Sequence, residues 1–542
     1  MKKQVFNPYM PSFEYVPDGE PHVFDGRLYL YGSHDRFRGA GFCLNDYVCY
    51  SADVHDLTKW RYEGVIYRKE QDPRNQSISE DAPAQTLLFG IEPESEEDLN
   101  PRGVHAMWAP DVVRGPDGRY YLYYCLDFLP EIGVAVCDSP AGKYEFLGLV
   151  RHGDGTILGA GEKDLAQFDP GVFVDDDGQI YLYSGNAPMK KEAGRGKQGS
   201  QVMRLRPDMV TLAEEPRKLL PDVFDSEGTG FEGHEFFEAS SIRKVNGVYY
   251  FVYSSVQSHE LCYAVSSRPD ADYRYGGTLV DIGDVFLDGR TDKEAVNCLG
   301  NTHGGIECAD GRWYVFYHRQ TNRTNFSRQG CAEKIFFDKE GRIAQAEVTS
   351  CGLNGGPLEG RGRYPARICC HLTSAKGAAF SHPLAMKMDY PYLTQDIPDR
   401  EPTAELLEED EKIPFQYVKN LRDGSTAGYK YFRFDCLRKI SAEVRGEAEG
   451  VLEIRTTPGG EVLGRIPIAS DSAEETTPVG FCNIVKGSLS TAFHAAESAP
   501  TGPASAAWRE AEGDVRIPDG EGALYFTFRG KGSLDFRSFC LH

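Results

Sequence analysis

Five times along this chain a short strand runs into an Asp-Gly or Asn-Gly pair and leaves through an aromatic-rich strand. The pairs are Asp25-Gly26, Asp117-Gly118, Asp177-Gly178, Asn246-Gly247 and Asp310-Gly311. The strands leaving them run, for example, Arg27-Leu28-Tyr29-Leu30-Tyr31 and Arg312-Trp313-Tyr314-Val315-Phe316-Tyr317. Such a dipeptide between apolar runs is a strong hairpin signal, because a type I′ turn needs positive φ at both central residues. The interval between turns has room for about four short strands, the unit of a β-propeller blade. Five repeats imply an all-β, five-bladed β-propeller; the rival solenoid is built from repeats that are typically shorter. Shortly before the turns stand Asp18, Asp111, Asp169, Glu238 and His303. If the repeats are related by rotation, these five groups converge on its axis and line a polar pocket.

A chain of 542 residues is too long for one ordinary core. The turn periodicity stops after Arg342-Ile343-Ala344, which places the propeller at residues 1–352 and a Gly-rich linker at 353–363. Residues 364–542 alternate again, in Val451–Arg455 and Leu524–Phe528, with turns at Pro458-Gly459-Gly460 and Asp519-Gly520; they read as a β-sandwich. Three further segments have clear composition. Residues 67–105 read as a surface insertion near the pocket mouth, 488–507 as a Ser/Ala/Pro/Gly-rich loop, and the acidic run Glu405–Glu411 as a solvated face.

A net charge of −23 excludes nucleic acid as a partner, since that affinity rests on Lys and Arg neutralising phosphates. It equally disfavours anionic membranes and acidic polymers, so a neutral substrate fits. No stretch approaches the ~20 apolar residues of a membrane span. Met1-Lys2-Lys3-Gln4-Val5 leads into Asn7-Pro8 with no apolar signal core, and the 14 Cys are scattered without a C-x-x-C pair. Reduced thiols and a cytoplasmic location are expected.

Asn7-Pro8 with Pro17-Asp18, then Trp108-Ala109-Pro110-Asp111, Phe168-Asp169-Pro170, Phe237-Glu238-Ala239-Ser240 and Thr302-His303-Gly304 resemble glycoside hydrolase family 43, over residues 5 to 350. The first motif departs from the commoner pattern by continuing Gly19-Glu20-Pro21. The resemblance implies a five-bladed propeller and hydrolysis with inversion, which sets two carboxyls about 6.5–9.5 Å apart around an attacking water. On this resemblance Asp18 is the general base and Glu238 the general acid, while Asp169 orients Glu238 and raises its pKa. Trp108 is a sugar-facing wall, Asp111 a supporting pocket residue and Arg328 a group that reaches the pocket. His34 and Asp35 are further sugar-site candidates. His303 belongs at the pocket floor, where the family sometimes holds calcium through water. One imidazole suits that hard cation poorly, so no cofactor is required and calcium stays a candidate at the axis.

Each residue also has a plainer reading: Asx turns for Asp18 and Asp169, solvation for Glu238, core packing for Trp108, a structural imidazole for His303, a surface cation for Arg328. Recurrence at one blade position favours function for the carboxylates. The expected activity is removal of a terminal pentose from an oligosaccharide, α-L-arabinofuranose first, with β-xylose or galactofuranose as alternatives of the same fold. A non-catalytic sugar-binding propeller is the alternative of a different class, and a homo-oligomer is left open. The C-terminal segments Gly428–Phe432, Leu452–Arg455 and Gly522–Gly530 resemble a family 6 carbohydrate-binding module, here expected to buttress the propeller.

Overall fold

The computed structural model describes residues 4–75, 98–194, 199–380, 389–469 and 507–542. The centre of the expected insertion, 76–97, and residues 488–506 of the expected loop lie outside the described residues.

Among the described residues, five antiparallel sheets follow one another along the chain, each ordered as in the sequence. The first runs Glu20–Phe24, Arg27–Tyr31, Tyr47–Asp53 and Asp56–Tyr67. The second runs Met107–Arg114, Tyr120–Leu126, Ile132–Cys137 and Glu145–Leu149. The third runs Gly171–Val174, Ile180–Ser184, Gln201–Leu205 and Leu212–Lys218. The fourth runs Phe236–Val245, Val248–Ser255, Glu260–Ser266 and Arg274–Asp281; the fifth has Ile306–Ala309, Arg312–Gln320 and Arg328–Ile335. All five glycine turns join the first two strands of a sheet. At Asp25-Gly26, Asn246-Gly247 and Asp310-Gly311 both residues have positive φ, as a type I′ turn requires. At the other two only Gly118 and Gly178 do. There the chain makes a longer turn, closed by Gly118 N–H to Gly115 O and Gly178 N–H to Asp175 O. Pro116 fixes a negative φ inside the first of these, which rules out the type I′ form.

The first strands of neighbouring sheets lie side by side around an axis. Gly19 bridges to Gly304, and Arg243 of the fourth sheet reaches Glu307 of the fifth at 3.2 Å, so the ring closes. The N-terminal segment fastens onto the fifth sheet. Asn7 exchanges two 2.9 Å hydrogen bonds with the backbone of Ala332, and Tyr9 N–H donates to Gly330 O. Apolar side chains fill the spaces between sheets, for instance Tyr31, Leu122 and Tyr124 between the first and second.

Beyond residue 357 two six-stranded sheets pack face to face over Leu452, Phe526, Phe528, Phe536 and Phe539. The stretch read as a linker belongs to these sheets: Leu358–Glu359 pairs with Thr426–Phe434 and Gly362–Pro365 with Leu534–Leu541. The acidic run is likewise more than a solvated face. It forms the helix Ala404–Lys412, capped by Thr403, and its Asp410 is buried, accepting from Ser12 N–H at 2.7 Å. Arg319 donates to the carbonyls of Arg367 and Cys369, and Lys430 Nζ lies 3.1 Å from Asp284. The sandwich is thereby tied to the fourth and fifth sheets through buried, charge-assisted contacts.

Candidate active site

The catalytic candidates sit near the starts of the inner strands: Asp18 and Asp169 lie just before theirs, and Glu238 within an irregular ladder. Asp18 and Asp169 have φ of 54° and 44°, and Ala239, just after Glu238, has 72°. Non-glycine residues seldom occupy this left-handed region, and such strain gathers where a side chain must be aimed. In the fourth sheet the register slips on both sides of Glu238, a bulge that turns its side chain off the regular alternation. The result is a cavity of about 500 Å³ whose lining includes Asp18, Asp169, Glu238, Trp108, His303 and Arg328. The first strand of each sheet, or the loop leading into it, supplies all of these but Arg328.

Asp18 is 5 % exposed and is held by Arg328, whose Nη1 donates to Oδ1 at 3.0 Å. Burial alone would raise its pKa. The Arg328 guanidinium overrides that and keeps the carboxyl well below the usual carboxylate range. Arg328 is aimed by Asp35, which accepts from Nε and Nη2 at 2.9 Å in a two-pronged pair. Phe42 lies beneath the same guanidinium at 4.7 Å. Glu238 Oε2 accepts from Asn186 Nδ2 at 2.9 Å, which fixes the orientation of the second carboxyl. Asp169 Oδ2 is 3.5 Å from His303 Nδ1. Burial, with the charge of Arg328, lowers the His303 pKa to about 4, so the ring is neutral near pH 7. Its donor set is one imidazole with one carboxylate beside it. That is not the oxygen-rich shell calcium takes, so these residues give that ion no direct cage.

Trp108 stands edge-on to Phe168, with centroids 5.2 Å apart, and forms with Phe42 an aromatic wall on one side. Phe380 reaches the cavity from beyond the propeller. Its segment is held against the loop that lines the site by Leu299 N–H donating to Ala379 O at 3.1 Å.

Three expected site residues do not line the cavity. The ladders pair Glu20 with Tyr31, Asp111 with Tyr123, Gly171 with Tyr183 and Ser241 with Val252. These partners sit at the same distance past each glycine turn, so Asp111 corresponds to Glu20 and not to Asp18. The second sheet's counterpart of Asp18 and Asp169 is Ala109, which does line the cavity. Asp111 lies one tier deeper, 3 % exposed, where it accepts from Val172 N–H, Val112 N–H and His22 Nε2, each at 2.7 Å. Burial with incomplete compensation by Arg243 pushes its pKa up to about 7. Asp35 has no exposure and serves as the anchor of Arg328. His34 turns away, its Nδ1 against Asp46 O at 2.8 Å and its Nε2 3.9 Å from Glu14.

Reading the sequence alone missed Phe42, Cys43, Phe168, Phe237, Gln257 and Asn301 among the lining residues. A signal for some of them was present: an aromatic directly precedes the pocket position in Trp108-Ala109, Phe168-Asp169 and Phe237-Glu238. Phe380 carried no such signal, because its place depends on how the sandwich docks.

The family model described as glycosyl hydrolases family 43 matches residues 90–343. A "Xylosidase/arabinosidase" from Thermoclostridium stercorarium is 46% identical over 544 residues, covering 100% of this chain and 99% of that protein. A "Beta-xylosidase" from Xylanibacter ruminicola is 32% identical over 62% of this chain and 98% of its own length. Among solved structures, a family 43 arabinoxylan arabinofuranohydrolase from Bacillus subtilis, in complex with cellotetraose, is 20% identical. It covers 99% of this chain and 97% of that one, with a TM-score of 0.46.

Proposed function

The chain belongs to glycosyl hydrolase family 43, and on that premise we propose that it is an exo-acting, inverting glycosidase that removes a terminal pentose from small oligosaccharides. The leading substrate is an α-L-arabinofuranosyl end. A β-xylosyl end is the second reading, favoured by the paired name of the 46% identical relative and by the beta-xylosidase at 32%. The observation that carries the proposal is the convergence of three carboxylates from three different sheets on one cavity, with one of them held ionised by a buried arginine.

In this mechanism Asp18 accepts a proton from a water on one face of the sugar while that water attacks the anomeric carbon. Glu238 protonates the departing glycosidic oxygen on the other face. Arg328 keeps the base ionised throughout the working pH range. Asp169 lines the same cavity as Glu238, and its negative charge favours a protonated acid at neutral pH. The Trp108–Phe168 wall offers an apolar face to a sugar ring, and Phe380 limits the cavity on the side of the sandwich. No cofactor enters this reading, and the sandwich acts as a buttress that completes the cavity. The cysteines of the described residues are free thiols, which suits a cytoplasmic enzyme acting on imported oligosaccharides.

A panel of nitrophenyl glycosides tests the assignment. Highest kcat/KM on α-L-arabinofuranoside, with β-D-xyloside next, is expected. Turnover of neither, with hexosides preferred, would overturn the pentose reading.

A further inference from the structure

His318 stands outside the cavity lining, yet it touches the backbone of the residue assigned as the base. It lies in Arg312–Gln320, the middle strand of the fifth sheet, with no exposure at all. Its own backbone is clamped by Thr302, whose hydroxyl contacts both the His318 carbonyl at 3.1 Å and the His318 N–H at 3.4 Å. From this fixed point the ring reaches across to the first sheet. Nδ1 lies 3.1 Å from Asp18 N and 3.1 Å from Asp18 Oδ1.

The two contacts demand opposite proton positions. A bare Nδ1 accepts from the Asp18 N–H, whereas a protonated Nδ1 would donate to the carboxylate. The Asp18 N–H points at Nδ1 with hydrogen-bond geometry, while Asp18 Oδ1 already has Arg328 as donor at 3.0 Å. Burial also lowers the His318 pKa, with the Arg328 charge acting in the same sense against the pull of Asp18 and Asp35. The ring is therefore neutral, with its proton on Nε2, a nitrogen that has no hydrogen-bond partner among the described residues. A buried imidazole with one nitrogen committed to a neighbouring loop and the other left bare of partners is a poor stabilising device for its own sheet.

We infer that His318 is a positioning residue for the catalytic base, its Nδ1 accepting the Asp18 N–H and holding that residue in the left-handed conformation that aims its carboxylate into the cavity. Arg328 fixes the carboxylate end of Asp18 and His318 fixes the backbone end, so the free Oδ2 keeps one direction toward the attacking water. The inference rests on the reading of Asp18 as base, which the Asp18→Ala variant checks separately.

The experiment compares His318→Phe, which keeps a flat ring of similar size but has no acceptor, with His318→Asn, whose Oδ1 can accept the same N–H. Misplacement of a reacting group by about 1 Å costs ~10²-fold in rate. His318→Phe is expected to lower kcat by about that factor with KM within twofold of wild type, and His318→Asn to recover most of the loss. Wild-type kcat in His318→Phe, equal damage in the two variants, or a loss confined to KM would each overturn the inference. If His318→Phe fails to fold, His318→Asn decides alone: folded protein within about tenfold of wild type supports the role, and a folded protein ~10²-fold slower contradicts it. Should Asp18→Ala retain turnover, the base assignment fails and not merely the role of His318.

Discussion

Two tiers of polar side chains stand on the same inner strands, about two residues apart. The upper tier, Asp18, Asp169, Glu238 and His303, faces the cavity. The lower tier centres on Glu20, His22 and Asp111, with Ser241, Arg243 and Glu307 closing around them. In the upper tier a buried carboxylate is kept ionised by a two-pronged arginine. In the lower tier burial wins: Asp111 is pushed up to about 7, Glu20 is raised as well, and His22 is lowered to about 4. The lower groups bond mainly to one another and to backbone, whereas the upper groups turn a face to an open volume. A carboxylate at the axis is thus not catalytic by position alone. What separates the tiers is the open volume beside the upper groups and the closed network of partners around the lower ones.

The sharpest way to break this comparison is to delete one residue from each tier. Asp18→Ala and Glu238→Ala should each lower turnover by about 10²–10⁴-fold or more, with the fold intact by circular dichroism. Asp111→Asn should leave kcat within an order of magnitude. Equal losses in the two tiers would erase the distinction.

Asp169→Asn sharpens the account of the acid. Removing a nearby negative charge lowers the pKa of Glu238, so the alkaline limb of the pH–rate profile should move to lower pH. A nitrophenyl leaving group needs little protonation, so the variant should be damaged less on that substrate than on a natural oligosaccharide. An unmoved limb with equal damage on both would reduce Asp169 to a turn residue or a sugar ligand.

Arg328→Lys addresses the base. Lysine cannot reproduce the planar fork that grips Asp35 and reaches Asp18. The Asp18 pKa should rise, and because the base works ionised, the acid limb of kcat/KM should move to higher pH. An acid limb at its wild-type position would show that Arg328 does not set the charge of the base.

Much of this was legible in the sequence, for a physical reason. Asp-Gly and Asn-Gly turns are fixed by local backbone energetics, so all five hairpins fell where the dipeptides stand, although two of them take the longer turns closed on Gly115 and Asp175, the first of which contains Pro116. Asp18, Asp169, Glu238, Trp108, His303 and Arg328 come together as their motifs implied. Asp111 was misplaced because distance from a turn is a blunt ruler: the ladder from Asp111 to the turn is regular, but the longer turn at Gly115–Gly118 lengthens the spacing toward that of Asp18. Asp35 and His34 were near the site in sequence but face away from the cavity, since a side chain's direction depends on contacts with Arg328 and Asp46 that lie elsewhere. Phe380 and Asp410 depended on docking between the propeller and the sandwich, which no local pattern encodes.

The smallest effect concerns the lower tier and stability. Burial raises the folded-state pKa of Asp111 to about 7, against about 4 in an unfolded chain. The stability it contributes is therefore fully present below about pH 4 and lost as pH rises through about 7. Asp111→Asn should flatten the dependence of Tm on pH within that window. An unchanged slope would mean that Asp111 is already compensated by Arg243.

The central claim, that the upper tier performs single-step displacement by water with Asp18 as base, is tested most directly by proton NMR of the first turnovers. Inversion predicts that the anomer released first is opposite in configuration to the substrate, appearing before mutarotation. Release of the retained anomer first would mean a covalent glycosyl intermediate and carboxyls only about 5–5.5 Å apart, and would contradict both the mechanism and the role of Asp18.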